Sequence, residues 1–165
     1  MGPRRVGEHD GEVFSALYPA LRRFAAAVRP QGVDADDLVQ EAVTRTLAAR
    51  SLSELDEPLA YLRAAVLSVA LNVRRSKRRN DAHIAAMGVP DAGCADDYPS
   101  DLADLWTVPP VARAVLFLTV VESCSYREAA ETLGCTEEAA RQMAARARRL
   151  LRVSAEAELR AGDTA

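Results

Sequence analysis

Six cations and no acid lie between Arg63 and Arg79: Arg63, Arg74, Arg75, Lys77, Arg78 and Arg79. Five arginines and no acid lie between Arg141 and Arg152: Arg141, Arg146, Arg148, Arg149 and Arg152. Guanidinium and ammonium groups at this density suit the neutralisation of a polyanion. Between the blocks, Asn80 to Asp104 carries six acids (Asp81, Asp91, Asp96, Asp97, Asp101, Asp104) and no base. The 165-residue chain sums to only −3, which hides segments of +6, −6 and +5. One basic block alone reads more readily as a solvated helix face than as a binding surface. Two of them, each ending an expected helix, point toward nucleic acid.

Other chemistries are excluded by what is missing. Three cysteines (Cys94, Cys124, Cys135) and two histidines (His9, His83) show neither CxxC nor HxxxH spacing. No metal site and no disulfide frame are therefore expected, and Cys124 and Cys135 read as small core residues. There is no glycine-rich phosphate loop, no histidine beside a nucleophile and no inward carboxylate pair. Hence no catalytic residue, no cofactor and no enzyme are expected. No apolar run approaches the ~20 residues of a membrane span, and Met1 to Gly11 lacks the apolar stretch of a signal peptide. A cytoplasmic protein with no membrane insertion is the expectation.

The elements that must position the basic blocks are helical. Thirty-two alanines and 5% aromatics favour helix over sheet. The expected fold is all-α: two small helical domains joined by a flexible acidic linker, the second containing a helix-turn-helix. The boundaries fall at residues 1–79, 80–103 and 104–165.

In the first domain, Val13 to Val28 reads as a helix with Val13, Leu17, Leu21, Ala25 and Val28 inward and Pro19 inside it. Asp34 is an N-cap, with Asp36 and Asp37 in the first turn that follows. Leu38, Val39, Ala42, Val43, Thr46 and Leu47 form that helix's apolar stripe. Asp36, Asp37, Gln40, Glu41, Thr44 and Arg45 fall outside. A third helix starts at Pro58 and turns Leu59, Leu62, Val66, Val69 and Val73 to the core. Ser68, Asn72, Arg75 and Arg79 form a separate polar-to-basic ridge.

The sequence Asp34-Ala35-Asp36-Asp37-Leu38-Val39-Gln40-Glu41 resembles region 2 of extracytoplasmic-function sigma factors, small initiation factors of bacterial RNA polymerase. The resemblance implies that this helix, through Asp36, Asp37, Gln40, Glu41 and Thr44, docks on the β′ clamp of core polymerase. The helix from Tyr61 to Arg79 is similar to the stretch that reads and melts the promoter −10 element, here through Ser68, Asn72, Arg75, Arg78 and Arg79. The family usually has aromatics where Val43 and Leu47 stand, Asn at Ser68 and Asp at Asn72. A flipped base needs a pocket with hydrogen-bonding groups, which Ser68, Asn72 and the Arg50–Glu57 stretch could supply.

In the second domain, Pro109-Pro110 opens a helix to about Glu122. Its core candidates are Val111, Val115, Leu118 and Val121, or Leu116 and Val120. Ser125-Tyr126-Arg127-Glu128 is a capping box. A helix to Leu133, then Gly134, then Thr136 as the next N-cap, has helix-turn-helix spacing. The last helix runs to about Arg152, with Ala140, Met143, Ala144, Ala147 and Leu151 inward. Its N-terminal part would enter the major groove. Val108 to Leu151 is similar to sigma region 4, which reads the −35 element; the resemblance implies −35 DNA binding through Thr136, Arg141, Gln142, Arg146 and Arg149, with Arg148, Arg149 and Arg152 neutralising phosphate. Arg141 suits guanine and Gln142 suits adenine.

The resemblance implies an alternative sigma factor whose partners are core RNA polymerase (β′ clamp and β flap), promoter DNA and an anti-sigma factor. Two alternatives stay open: a degenerate sigma-like regulator acting through protein contacts, and a polymerase-independent helix-turn-helix DNA-binding regulator.

Overall fold

The computed structural model describes residues 8–86 and 103–162, with side chains over 9–79 and 105–156. The stretch expected as linker lies largely outside these residues. The chain divides into two compact units, Met1–Ala95 and Asp96–Ala165. Every regular element described is a helix or a helical turn.

The first unit packs three helices, α1 (Glu8–Val28), α2 (Ala35–Ala49) and α3 (Pro58–Ala86), pairwise against one another. Helix α1 starts five residues before the expected Val13. Exposed Pro19 stays within it without ending it. The inward face is Leu21, Phe24, Ala25 and Val28, all fully buried; Val13 and Leu17 are half-buried. Phe24, absent from the expected stripe, is the largest side chain in this core. The α1–α2 turn closes with Gly32 at φ 73, a left-handed conformation that costs glycine little.

Asp34 caps α2 as expected, its side chain accepting from the Asp36 N–H at 2.7 Å. Ala35, Leu38, Val39, Ala42, Val43 and Thr46 are buried, while Leu47 is half-buried. A short 3-10 turn, Leu52–Glu54, precedes α3. Helix α3 buries Leu62, Val66, Leu67, Val69 and Ala70, with Leu59 and Val73 half-buried. It continues to Ala86, seven residues beyond the boundary expected at Arg79.

The second unit holds α4 (Ala103–Thr107), α5 (Pro110–Leu116), α6 (Tyr126–Leu133) and α7 (Glu137–Gly162). The long helix α7 packs against the other three. Two small apolar clusters hold it. Val115, Ala130, Ala140 and Ala144 form one, edged by Leu116, Tyr126, Leu133, Cys135 and Met143. Val108, Ala112 and Ala147 form the other, edged by Leu116, Met143 and Leu151. Alanine at these crossings lets helix backbones approach closely, which explains the abundance of that residue here.

One expectation is corrected in this unit. After Leu116 the chain widens into a π-helical turn, Phe117–Val121, in which the Glu122 N–H reaches back to the Phe117 carbonyl at 3.1 Å. The wider turn shifts the helical register. Phe117 and Leu118 are buried, while Val120 and Val121 are 63% and 61% exposed rather than inward. Ser123, at φ 57, then ends the helix, with the Cys124 N–H bonded to the Leu118 carbonyl. At the other end, α7 runs ten residues past the expected stop at Arg152.

Candidate nucleic-acid interface

Helix α2 carries the acidic face. Asp37, Gln40, Glu41 and Thr44 are exposed, and their spacing of three and four residues aligns them in one stripe. Glu41 is salt-bridged to Arg45 at 2.6 Å. Asp36 departs from the expected outer face. It is half-buried, and its Oδ1 accepts from Tyr18 Oη at 2.6 Å and Arg22 Nε at 2.9 Å, both on α1. It therefore ties α2 to α1.

These bonds, the Tyr18 hydroxyl first, hold the Asp36 carboxyl below the usual carboxylate range and push the Tyr18 phenol up. Because Asp36 loses its proton more readily folded than unfolded, its contribution is complete above the ordinary carboxylate range. It is lost as pH falls through the lower folded value. Tyr18→Phe should therefore lower the unfolding midpoint near neutral pH, and the difference from wild type should close in acid. Thermal unfolding across a pH series checks this; a gap that widens in acid contradicts it.

Helix α3 carries the basic ridge. Ser68, Asn72, Arg75, Arg78 and Arg79 are all exposed, and the ridge rises about 16 Å along the helix. At its N-terminal end a cavity of 140 Å³ opens between α2 and α3, lined by Ala42, Arg45, Thr46, Tyr61, Ala65, Ser68 and Val69. This is below the roughly 300–1,000 Å³ of clefts for drug-sized ligands. Ser68 alone of the expected pocket residues lines it; Asn72 and the Arg50–Glu57 stretch do not. Arg45, Thr46, Tyr61 and Ala65 were not expected there. Tyr61, Ala65 and Ser68 follow one another at helical spacing, so the α3 wall could have been found from periodicity. The α2 wall depends on how the helices cross. The Thr46 hydroxyl donates to the Ala42 carbonyl at 2.8 Å. Arg50 lies with its guanidinium 5.3 Å from the Tyr61 ring centroid.

The second unit builds a helix-turn-helix as expected. Ser125 Oγ accepts from the Glu128 N–H at 3.2 Å while Glu128 Oε2 accepts from the Ser125 N–H at 2.7 Å. The Ser125 hydroxyl and N–H hold the Glu128 carboxyl below its ordinary range. Gly134 adopts φ 66, ψ 36, the left-handed geometry a side chain disfavours. Thr136 Oγ1 accepts from the Ala139 N–H at 3.1 Å and caps α7. Arg141, Gln142, Arg146 and Arg149 are exposed on α7. Two of them are engaged within the helix: Arg141 is ion-paired with Glu137, and Gln142 donates to Glu138 at 3.0 Å. Tyr126 joins this face unforeseen. The Arg141 guanidinium lies 5.6 Å from its ring centroid, and Arg148 donates to its hydroxyl at 2.9 Å.

Among the described residues no group of His, Cys, Asp and Glu could hold a metal ion, and no helix is long and apolar enough to cross a membrane.

Residues 13–80 match the Sigma-70 region 2 family, and residues 107–151 match Sigma-70, region 4. Among solved structures, the chain is similar to the sigma factor RpoE in complex with the anti-sigma factor NepR from Bartonella quintana. That likeness has 21% identity and a TM-score of 0.59, covers 88% of this chain and 95% of that one, and concerns the fold. No match is found among curated proteins. The two regions lie in order on two separate helical units and take in about two thirds of the chain. The chain thus belongs to the sigma-70 family, whose members direct transcription initiation by RNA polymerase, with region 2 on its first helical unit and region 4 on its second.

Proposed function

We propose a division of labour between the two units. Asp37, Gln40, Glu41 and Thr44 dock α2 on the β′ clamp, with Asp36 positioning that helix rather than contacting polymerase. Ser68, Asn72, Arg75, Arg78 and Arg79 address the −10 element. The N-terminal part of α7, with Thr136, Arg141, Gln142, Arg146 and Arg149, addresses the −35 element, and the second unit also meets the β flap. The protein performs no chemistry of its own and acts in the cytoplasm, on the nucleoid. An anti-sigma factor that covers these faces is a further expected partner. Residues 87–102, between the end of α3 and the start of α4, serve as the acidic linker joining the two units.

The observation that carries this reading is the cavity at the head of the basic ridge. Arg75, Arg78 and Arg79 can neutralise backbone phosphates, while Ser68, Tyr61 and Arg45 offer hydroxyls, a guanidinium and an aromatic ring to one base. A base taken out of the stack needs those groups together. In vitro transcription with core polymerase on genomic fragments should yield discrete start sites that depend on this protein. Failure to initiate on any fragment would contradict the reading.

A further inference from the structure

The Leu52–Glu54 turn lies between α2 and α3, the two helices whose side chains line the cavity. Its local support is a capping box: Ser51 Oγ accepts from the Ser53 N–H at 3.3 Å, and Glu54 Oε2 accepts from the Ser51 N–H at 3.3 Å. Such a box engages the Ser51 and Ser53 amides but leaves the Leu52 N–H and the turn's placement on the protein to another group. That placement comes from Asp10, in the first turn of α1. Asp10 is only 6% exposed. Its Oδ1 accepts from Ser51 Oγ, from the Leu52 N–H at 2.9 Å and from the Ser53 N–H at 3.3 Å. A carboxylate withdrawn from water is costly unless hydrogen bonds replace hydration. Here three donors come from one turn, 41 to 43 residues along the chain. The Leu52 side chain, 1% exposed, is buried beside this anchor.

The turn is coupled to the cavity through its neighbour. Arg50 immediately precedes Ser51 and stacks on Tyr61, and Tyr61 lines the cavity. We infer that Asp10 is a positioning residue for base recognition: it fixes the Ser51–Ser53 turn on α1, and so holds Arg50 over Tyr61 at the cavity wall. This rests on the reading of the cavity as the site of a −10 base. It adds a residue some forty positions from the loop and absent from the DNA-facing ridge.

The test uses holoenzyme assembled with the full chain, on promoters carrying each of the four bases at every −10 position. Opening is followed with a fluorescent adenine analogue, and polymerase affinity and amide hydrogen exchange are measured in parallel. Asp10→Asn keeps the shape and removes the charge. It should speed exchange at Leu52 and Ser53, slow opening by about tenfold, the worth of a charge-assisted hydrogen bond, and narrow the preference among −10 bases. Polymerase affinity should stay within about twofold. Ser51→Ala should shift the same readouts less, and add little in the Asp10→Asn background, because the two groups share one bond. Unchanged opening and base preference with freed Leu52 and Ser53 amides would overturn the inference. So would equal losses of polymerase binding and opening, which would make Asp10 a fold residue only. If wild-type holoenzyme opens promoters with no preference at any −10 position, the cavity reading fails and the role of Asp10 falls with it.

Discussion

Core polymerase should no longer bind the protein once Asp37 and Glu41 are both replaced by lysine. Both carboxylates are exposed on one stripe of α2. Under the proposed docking, reversal would convert two attractions into two repulsions. Central charged contacts of an interface cost about 2 kcal/mol or more each when lost, so the pair should weaken binding by roughly a thousandfold. The intramolecular cost is far smaller. Lysine in the first turn opposes the helix dipole by about 0.3–1 kcal/mol. The Glu41–Arg45 bridge that is lost is exposed and worth about 0–1 kcal/mol. The variant should therefore fold, with unchanged helical circular dichroism, and fail in polymerase pull-down. Gln40→Ala should weaken binding only in part. A folded double-lysine variant with wild-type affinity would remove α2 as the docking face. Asp36→Asn should act differently, lowering stability before affinity, because Asp36 bonds to Tyr18 and Arg22.

The second large effect is expected at Arg141. A bidentate guanidinium–guanine pair is worth about 1–3 kcal/mol of discrimination. Arg141→Ala should accordingly lower −35-dependent initiation by roughly ten- to a hundredfold and relax preference at a single base pair. In the free protein Arg141 is ion-paired with Glu137 and lies against Tyr126, so binding must exchange that pair for the base. The pair is exposed, so its loss costs at most about 1 kcal/mol. Glu137→Gln should thus raise promoter affinity by up to about fivefold, opposite in sign to Arg141→Ala. Arg149→Ala, under its proposed role at a phosphate, should weaken binding across sequences alike and reduce the salt slope by about one. Quantitative footprinting on −35 variants at two salt concentrations separates the three. An Arg141→Ala loss uniform across all −35 sequences would reassign Arg141 to phosphate.

Much of the local design was legible beforehand. The Asp34 cap, the Ser125 capping box, the left-handed Gly134 and the Thr136 cap were all expected from residue type and spacing, and all are present. Each is decided within four residues, so neighbouring sequence contains the cause. The alanine face of α7 was equally readable from its period. Val120 and Val121 were not. Both carry apolar side chains at helical spacing from buried residues, yet the π-helical turn rotates them outward. A change of winding is favoured or refused by packing around Phe117 and Leu118, which no local pattern encodes.

The candidate sites divide along the same line. The amino-acid sequence determined which side chains are available: the basic ridge of α3, the acidic stripe of α2, and an arginine-rich helix behind a helix-turn-helix turn. Charge segregation and period suffice for that, because both are properties of one helix at a time. Only the tertiary structure decided that Asp36 faces α1, that Arg45 and Thr46 meet Tyr61 and Ser68 around a cavity, and that Asp10 holds a turn some forty residues away. Those pairings join residues distant in sequence. They exist only where helices cross, and the crossing is set by the summed packing of Leu21, Phe24, Leu38, Leu62 and Val66 rather than by the polar groups it brings together.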